Sequence, residues 1–160
     1  MSTITVNCQA GAGTVALPGA GGPVTLPAWG YALDPGLIRV PGPVLQVTAG
    51  DVLQVVLTNG LPEPVSLMVP GLSETPRPVK DADGRLLSLV DHAGPGESVT
   101  YVLSAPHPGT YRYESGSNPA VQVQMGLYGV LIVRPAGYDA GNPATWTAYG
   151  PDTGTEYDRE

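Results

Sequence analysis

The chain has 160 residues, enough for one domain with tails and for a hydrophobic core that needs no disulfide staples. Seven Lys and Arg against 14 Asp and Glu give a formal charge of -7, which repels phosphate backbones and anionic lipid and argues against nucleic acid or an anionic membrane surface as a partner. A single cysteine, Cys8, rules out an intrachain disulfide and any Cys-x-x-Cys metal site.

Glycine (22) and proline (18) are abundant and only 13% of residues are charged, a balance that suits short strands joined by tight turns, so the expected class is all-β. In chain order, strands are expected at residues 3–7, 24–26, 44–48, 52–59, 64–69, 98–104, 110–115 and 128–133, with Gly, Asp, Asn and Pro between them. Val99, Tyr101 and Leu103 alternate with Ser98, Thr100 and Val102, and Tyr111 and Tyr113 alternate with Thr110, Arg112 and Glu114, as where one sheet face is buried. Val55, Leu57, Tyr101, Leu103, Tyr111, Tyr113, Leu131 and Val133 are the expected core. Strands and turn signals at this spacing predict a Greek-key β-sandwich.

Residues 9–22, dominated by Gly and Ala, and 136–155, rich in Gly, Asp, Thr and Pro, read as linkers or arms that wrap the domain. Residues 71–89 hold Asp81, Asp83 and Gly84 in a polar stretch and read as a long loop or hairpin. No helical period, internal repeat or charge run is visible, no apolar stretch approaches transmembrane length, and the start lacks the basic-then-apolar pattern of a signal peptide. Cys8 reads as a small buried apolar residue, and Trp29 and Tyr31 as core or rim packing of an early strand.

Six phrases carry a family resemblance from about Trp29 to Pro135. Val40-Pro41-Gly42-Pro43-Val44 leads into Val47-Thr48-Ala49-Gly50-Asp51 and Val55-Val56-Leu57-Thr58-Asn59. Pro95-Gly96-Glu97-Ser98-Val99-Thr100-Tyr101, Pro108-Gly109-Thr110-Tyr111 and Gly126-Leu127-Tyr128-Gly129-Val130-Leu131-Ile132-Val133 follow. In order and spacing this series resembles the first, N-terminal cupredoxin domain of multicopper oxidases, and the resemblance implies a cupredoxin-like Greek-key sandwich and an origin outside the cytoplasm, periplasmic or extracellular. Fold resemblance by itself carries no activity. The implied partition is an N-terminal strand and Gly-rich arm at 1–28, a cupredoxin-like domain at 29–135, and a linker at 136–160. The closing Thr155-Glu156-Tyr157-Asp158-Arg159-Glu160 resembles the phrase that opens a second cupredoxin domain in related proteins.

The same alignment sets two copper-binding loops of the family against residues of another kind. Met68 and Pro70 stand where the family carries His-x-His-Gly, and Glu114 and Gly116 where it carries Tyr-His-Ser-His. Type 2 and type 3 copper take imidazole nitrogens; a thioether suits copper(I), a carboxylate prefers harder ions, and Pro and Gly offer no side-chain donor. A type 1 centre, as in the first domain of the related copper nitrite reductases, fares no better: Ser115 falls at the Cys position, Gln122 at the His position and Leu127 at the Met position. A blue centre needs thiolate and imidazole.

The two histidines flank the strand expected at 98–104, which at about 3.3 Å per residue keeps them roughly 20 Å apart, so His92 and His107 cannot share one ion. His92 with Met68 and Glu114 is the remaining weak metal candidate, set against an ordinary loop histidine. Asp81, Asp83 and Asp91 lack the ordered oxygen pattern of a calcium loop, and Ser115 and Ser117 have no neighbouring histidine to serve a nucleophile.

The reading is therefore a chain with no cofactor of its own, copper belonging to the resembled family, and no catalytic residues. It is expected to act as a structural or binding module through contacts with other copies or with a second cupredoxin domain. The alternative is the N-terminal domain of a multicopper oxidase or copper-binding protein whose redox centre lies in a domain beyond this chain.

Overall fold

The structure is a computed structural model and describes residues 2–72 and 77–150. Two sheets face each other. The first has the order β2-β1-β4-β7, from Val24–Leu33, Thr3–Leu17, Val52–Asn59 and Ser98–Ser104; the second has the order β3-β9-β8, from Leu45–Thr48, Tyr128–Arg134 and Gly109–Glu114. β1 runs antiparallel to β2 and parallel to β4, β4 antiparallel to β7, β3 parallel to β9, and β8 antiparallel to β9. This is the all-β sandwich expected from the alternation, in the cupredoxin-like form that the family resemblance implies.

Period-two patterning explains the core. Along β4, Leu53, Val55, Leu57 and Asn59 are buried while the residues between them are not, and they meet Leu45 and Val47 of β3 and Leu131 and Val133 of β9. Of the expected core, Val55, Leu57, Tyr113, Leu131 and Val133 are buried; Tyr101, Leu103 and Tyr111 are partly buried and pack against its rim. Cys8 and Tyr31 are also inside, at 2% and 0% exposure. Asn59 closes the end of β4 by donating to Glu63 O (2.9 Å) and Ala93 O (3.0 Å) and accepting from Leu61 N (2.8 Å), so its buried amide is satisfied and the segment after the strand is held in place.

Four local expectations differ. β1 does not stop at Asn7 but continues through the Gly-Ala run to Leu17, paired with β2, which itself extends to Leu33. Small residues are needed there, because Ile38 lies over Gly11 and Gly13. Residues 64–69 form no strand, only the isolated bridges Val65↔Ala93 and Met68↔Glu114. A helix, α1 (Pro119–Met125), sits in a region where no helical period is legible. Residues 139–146, within the stretch read as a linker or wrapping arm, fold into a compact turn: Asn142 caps a 3-10 turn (Pro143–Thr145) and Trp146 Nε1 donates to Asp139 O at 3.2 Å.

The polar stretch at 71–89 contains the hairpin β5 (Val79–Lys80) and β6 (Leu86–Ser88), where Asp81 Oδ1 accepts from Asp83 N (2.9 Å) and Arg85 N (2.8 Å). Asp81 is turn chemistry. The reading of the tail at 155–160 falls outside the described residues. Among the described residues no helix is long and apolar enough to cross a membrane.

Candidate functional site

The two loops singled out by sequence meet at one end of the sandwich. Met68 N donates to Glu114 O (2.7 Å) and Glu114 N to Met68 O (2.9 Å), so the positions are joined backbone to backbone. The Glu114 carboxylate is taken up by Arg112 at 2.6 Å. Gly116 is closed over: a Cβ there would lie 3.0 Å from Met68 Sδ, 3.2 Å from Leu89 Cβ and 3.4 Å from Val90 Cγ2. Pro70 is exposed on the following turn. Three of the four positions thus converge, and apolar contacts and one ion pair occupy the space.

Behind them, Ser115, Gln122 and Leu127 are each fully buried, at 0% exposure, and mutually connected. Ser115 Oγ donates to Gln122 Oε1 at 2.6 Å, Ser115 N donates to Leu127 O at 3.1 Å, and Leu127 N donates to Gln122 O at 2.9 Å. The Gln122 amide then donates to Pro64 O (2.9 Å) and Glu63 Oε2 (3.2 Å).

Serine hydroxyls extend the network inward. Ser66 Oγ accepts from Gly116 N (2.8 Å) and from Ser117 Oγ (3.0 Å), and Ser117 and Ser88 hydroxyls meet at 2.9 Å. Ser115 Oγ receives Ser66 N at 3.4 Å and Ser117 N at 3.3 Å. Tyr31 OH anchors the far side on Ser66 O at 2.6 Å; burial holds its phenol well above the ordinary value, so it stays a donor.

The remaining candidates are dispersed. His92 is partly buried with Nδ1 lacking a hydrogen-bond partner, and His107 is an exposed turn residue whose carbonyl accepts from Tyr111 OH at 3.0 Å. Of the trio His92, Met68 and Glu114, the last two are joined by a backbone bridge and not through their side chains. Among the described residues, no three His, Cys, Asp or Glu side chains gather as a metal-binding group. Asp91 carries its own structural load, its carbonyl accepting from Tyr101 OH at 2.6 Å.

Sequence reasoning missed Glu63, Ser66 and Ser88. Nothing in their local pattern marks them, since each is reached from more than 25 residues away along the chain.

Comparison with known proteins decides the family. The multicopper oxidase family profile matches residues 38–137. The chain belongs to the multicopper oxidase family. Multicopper oxidase MmcO of Mycobacterium tuberculosis is 36% identical over 107 residues, covering 63% of this chain and 19% of that protein. A probable nitrite reductase-hydroxylamine oxidoreductase fusion protein of Kuenenia stuttgartiensis is 34% identical over 123 residues, 72% of this chain and 14% of that one. Among solved structures, the copper nitrite reductase of Nitrosomonas europaea superposes with a TM-score of 0.66 at 29% identity, over 91% of this chain and 46% of that chain. The chain therefore spans less than a fifth of these curated relatives and under half of the nitrite reductase chain.

Membership of this family implies copper, and the residues present do not fit it. At the positions that the resemblance sets against type 1 ligands stand the Ser115 hydroxyl, the Gln122 amide and Leu127, all buried, with the polar atoms engaged by protein partners. Neither thiolate nor imidazole is among them. At the cluster positions a thioether, a paired carboxylate, a proline and a glycine stand in the same relation to imidazole.

Proposed function

We propose that this chain is a copper-free cupredoxin-like module of a multicopper oxidase-like protein, acting through contacts with other copies or with a second cupredoxin domain. The observation that carries the reading is the bond from Ser115 to Gln122 and the two bonds from Gln122 onward to Glu63 and Pro64. A metal ligand must present a free lone pair to the ion. Here Gln122 Oε1 accepts from Ser115 Oγ, and Ser115 Oγ in turn accepts from the backbone N–H groups of Ser66 and Ser117, in a region without solvent access.

Contacts are supported by the outer half of the first sheet. β1 pairs with β4 only from Thr3 to Ala10, so beyond Ala10 the β1–β2 ribbon has two strands and exposes Leu17, Val24 and Leu26 at 43–51%. No charged side chain occurs before Asp34. A two-stranded ribbon is marginal in water by itself, and an uncharged one favours burial against a partner. The cupredoxin-like unit at 29–135 is completed by β1, residues 136–160 lead toward a neighbouring domain, and the location is periplasmic or extracellular in keeping with the family resemblance.

A second reading is favoured by the short span relative to the relatives: an N-terminal domain of a multicopper oxidase whose redox centre lies in another domain. Absorption spectra of the copper-loaded chain and light scattering at high micromolar concentration test the proposal. The expected result is neither blue nor near-ultraviolet copper bands, together with association above monomer mass. A blue band would overturn the copper-free reading, and a strict monomer would overturn contact between copies.

A further inference from the structure

Helix α1 has little of its own to make it stable. It has seven residues, begins at Asn118 in a left-handed conformation (φ 53, ψ 55) without a side-chain capping bond, and carries no acidic residue in its first turn or basic residue in its last. Helices this short are unstable without tertiary support; Pro119 opens the first turn and a left-handed C-cap at Gly126, whose N–H meets Val123 O at 3.1 Å, closes the last, while the N-cap side chain and the helix dipole add nothing. Apolar burial is the usual support, yet the one buried residue of α1 is Gln122, while Val121 is 45% exposed. What Gln122 has instead is three side-chain hydrogen bonds, each to a different residue, and a backbone carbonyl that accepts from Leu127 N.

Those bonds run to residues 63–64 on one side and to Ser115 on the other. We propose that the Gln122 side chain is a metal-free pin: it fastens α1 to the 63–66 segment and to the Ser115–Ser117 turn at the position where a type 1 ion would tie the same segments together. Both amide donors and the carbonyl of Gln122 are used, which is what a buried amide requires. The pin extends the copper-free reading and rests on it. It assigns Gln122 a positioning role that no ion is needed to complete.

Hydrogen exchange on the full chain, in chelator, tests this with Gln122→Leu, which puts an apolar side chain of similar size in place of the amide and removes all three bonds. Since each bond contributes modestly but an orphaned buried partner costs more, the amides of Gln122, Gly126 and Leu127 should exchange at least about tenfold faster, while Val55 and Leu57 in β4 change far less. Unchanged exchange across α1 would overturn the pin. Acceleration of β4 by the same factor would also overturn it, because the effect would then be global. If Gln122→Leu does not fold, Ser115→Ala, which removes one of the three bonds, is judged by the same pattern with a smaller expected effect of about threefold. Exchange of the unaltered chain with and without added copper separates the two ideas: protection of α1 that rises with copper refutes the copper-free reading, whereas the variants bear on the pin alone.

Discussion

Replacing Gly129 by Ala should destabilise the domain although it adds one methyl group and the strand backbone accepts it. Gly129 lies opposite Tyr113 in the β8–β9 ladder, and the phenol ring lies across it, so that a Cβ would overlap Cζ, Cε1 and Oη of Tyr113. The ring has no retreat. Its hydroxyl donates to Pro43 O at 2.6 Å, and its face packs on Tyr31 with centroids 5.5 Å apart and planes tilted by 59°; both tyrosines are 0% exposed. A Gly-to-Ala change gains about 0.4–1 kcal/mol from the unfolded chain. Overpacking costs about 1–3 kcal/mol, and tilting the ring enough to break the buried bond to Pro43 costs about 1–3 more. The clash wins, with a net loss of about 1–6 kcal/mol. Urea denaturation followed by fluorescence should show a lower midpoint at an unchanged slope. Combining Gly129→Ala with Tyr113→Leu should cost less than the sum of the two, because the smaller side chain frees the space. A loss below about 1 kcal/mol, or strict additivity, would refute the argument.

Leu131, fully buried on β9 between Leu45 and Tyr111, should cost about 2–5 kcal/mol when replaced by Ala, read by the same urea midpoint, and a near-neutral result would mean its side chain is not in the core. Substituting Glu63→His, Ser115→Cys, Gln122→His and Leu127→Met together should create a blue copper-binding chain, since a blue centre takes two imidazoles, a thiolate and an axial thioether, and these four positions converge. A folded variant that takes up no copper would show that the loops no longer hold that geometry. Stability should fall as pH rises above about 9, because burial pushes the Cys8 thiol from an ordinary 9.0 up to about 12 and raises the Tyr31 phenol as well. The unfolded thiol ionises first and the unfolded state then binds fewer protons, so a urea midpoint that stays flat from about pH 8 to about pH 11 would contradict this.

The sandwich was legible where side chains of opposite character alternate. Val52–Asn59 and Ser98–Ser104 have the same bounds in sequence and structure, because apolar and polar residues take turns between Gly-Asp and Pro-Gly turns. Alternation fades in residues 9–17, where Gly and Ala are demanded by Ile38 lying against the sheet, and small residues read as a linker. Helix α1 was illegible for a different reason: in seven residues its apolar side chains at 119–121, 123 and 125 trace no helical stripe, and its one fully buried residue is the polar Gln122. At the site, family alignment located Ser115, Gln122 and Leu127, and the structure brings all three together. It could not reveal Glu63 or the serines at 66 and 88, whose role depends on contacts between distant segments, and nothing in their composition distinguishes them from loop residues.

The most direct measurement is the copper content of the full chain after loading with excess copper and desalting, by elemental analysis. With the groups at positions 115 and 122 bonded to each other and to residues 63 and 64, the expected content is far below one copper per chain. One tightly held copper per chain would contradict it, and His92, Met68 and Glu114 would then be the first residues to replace.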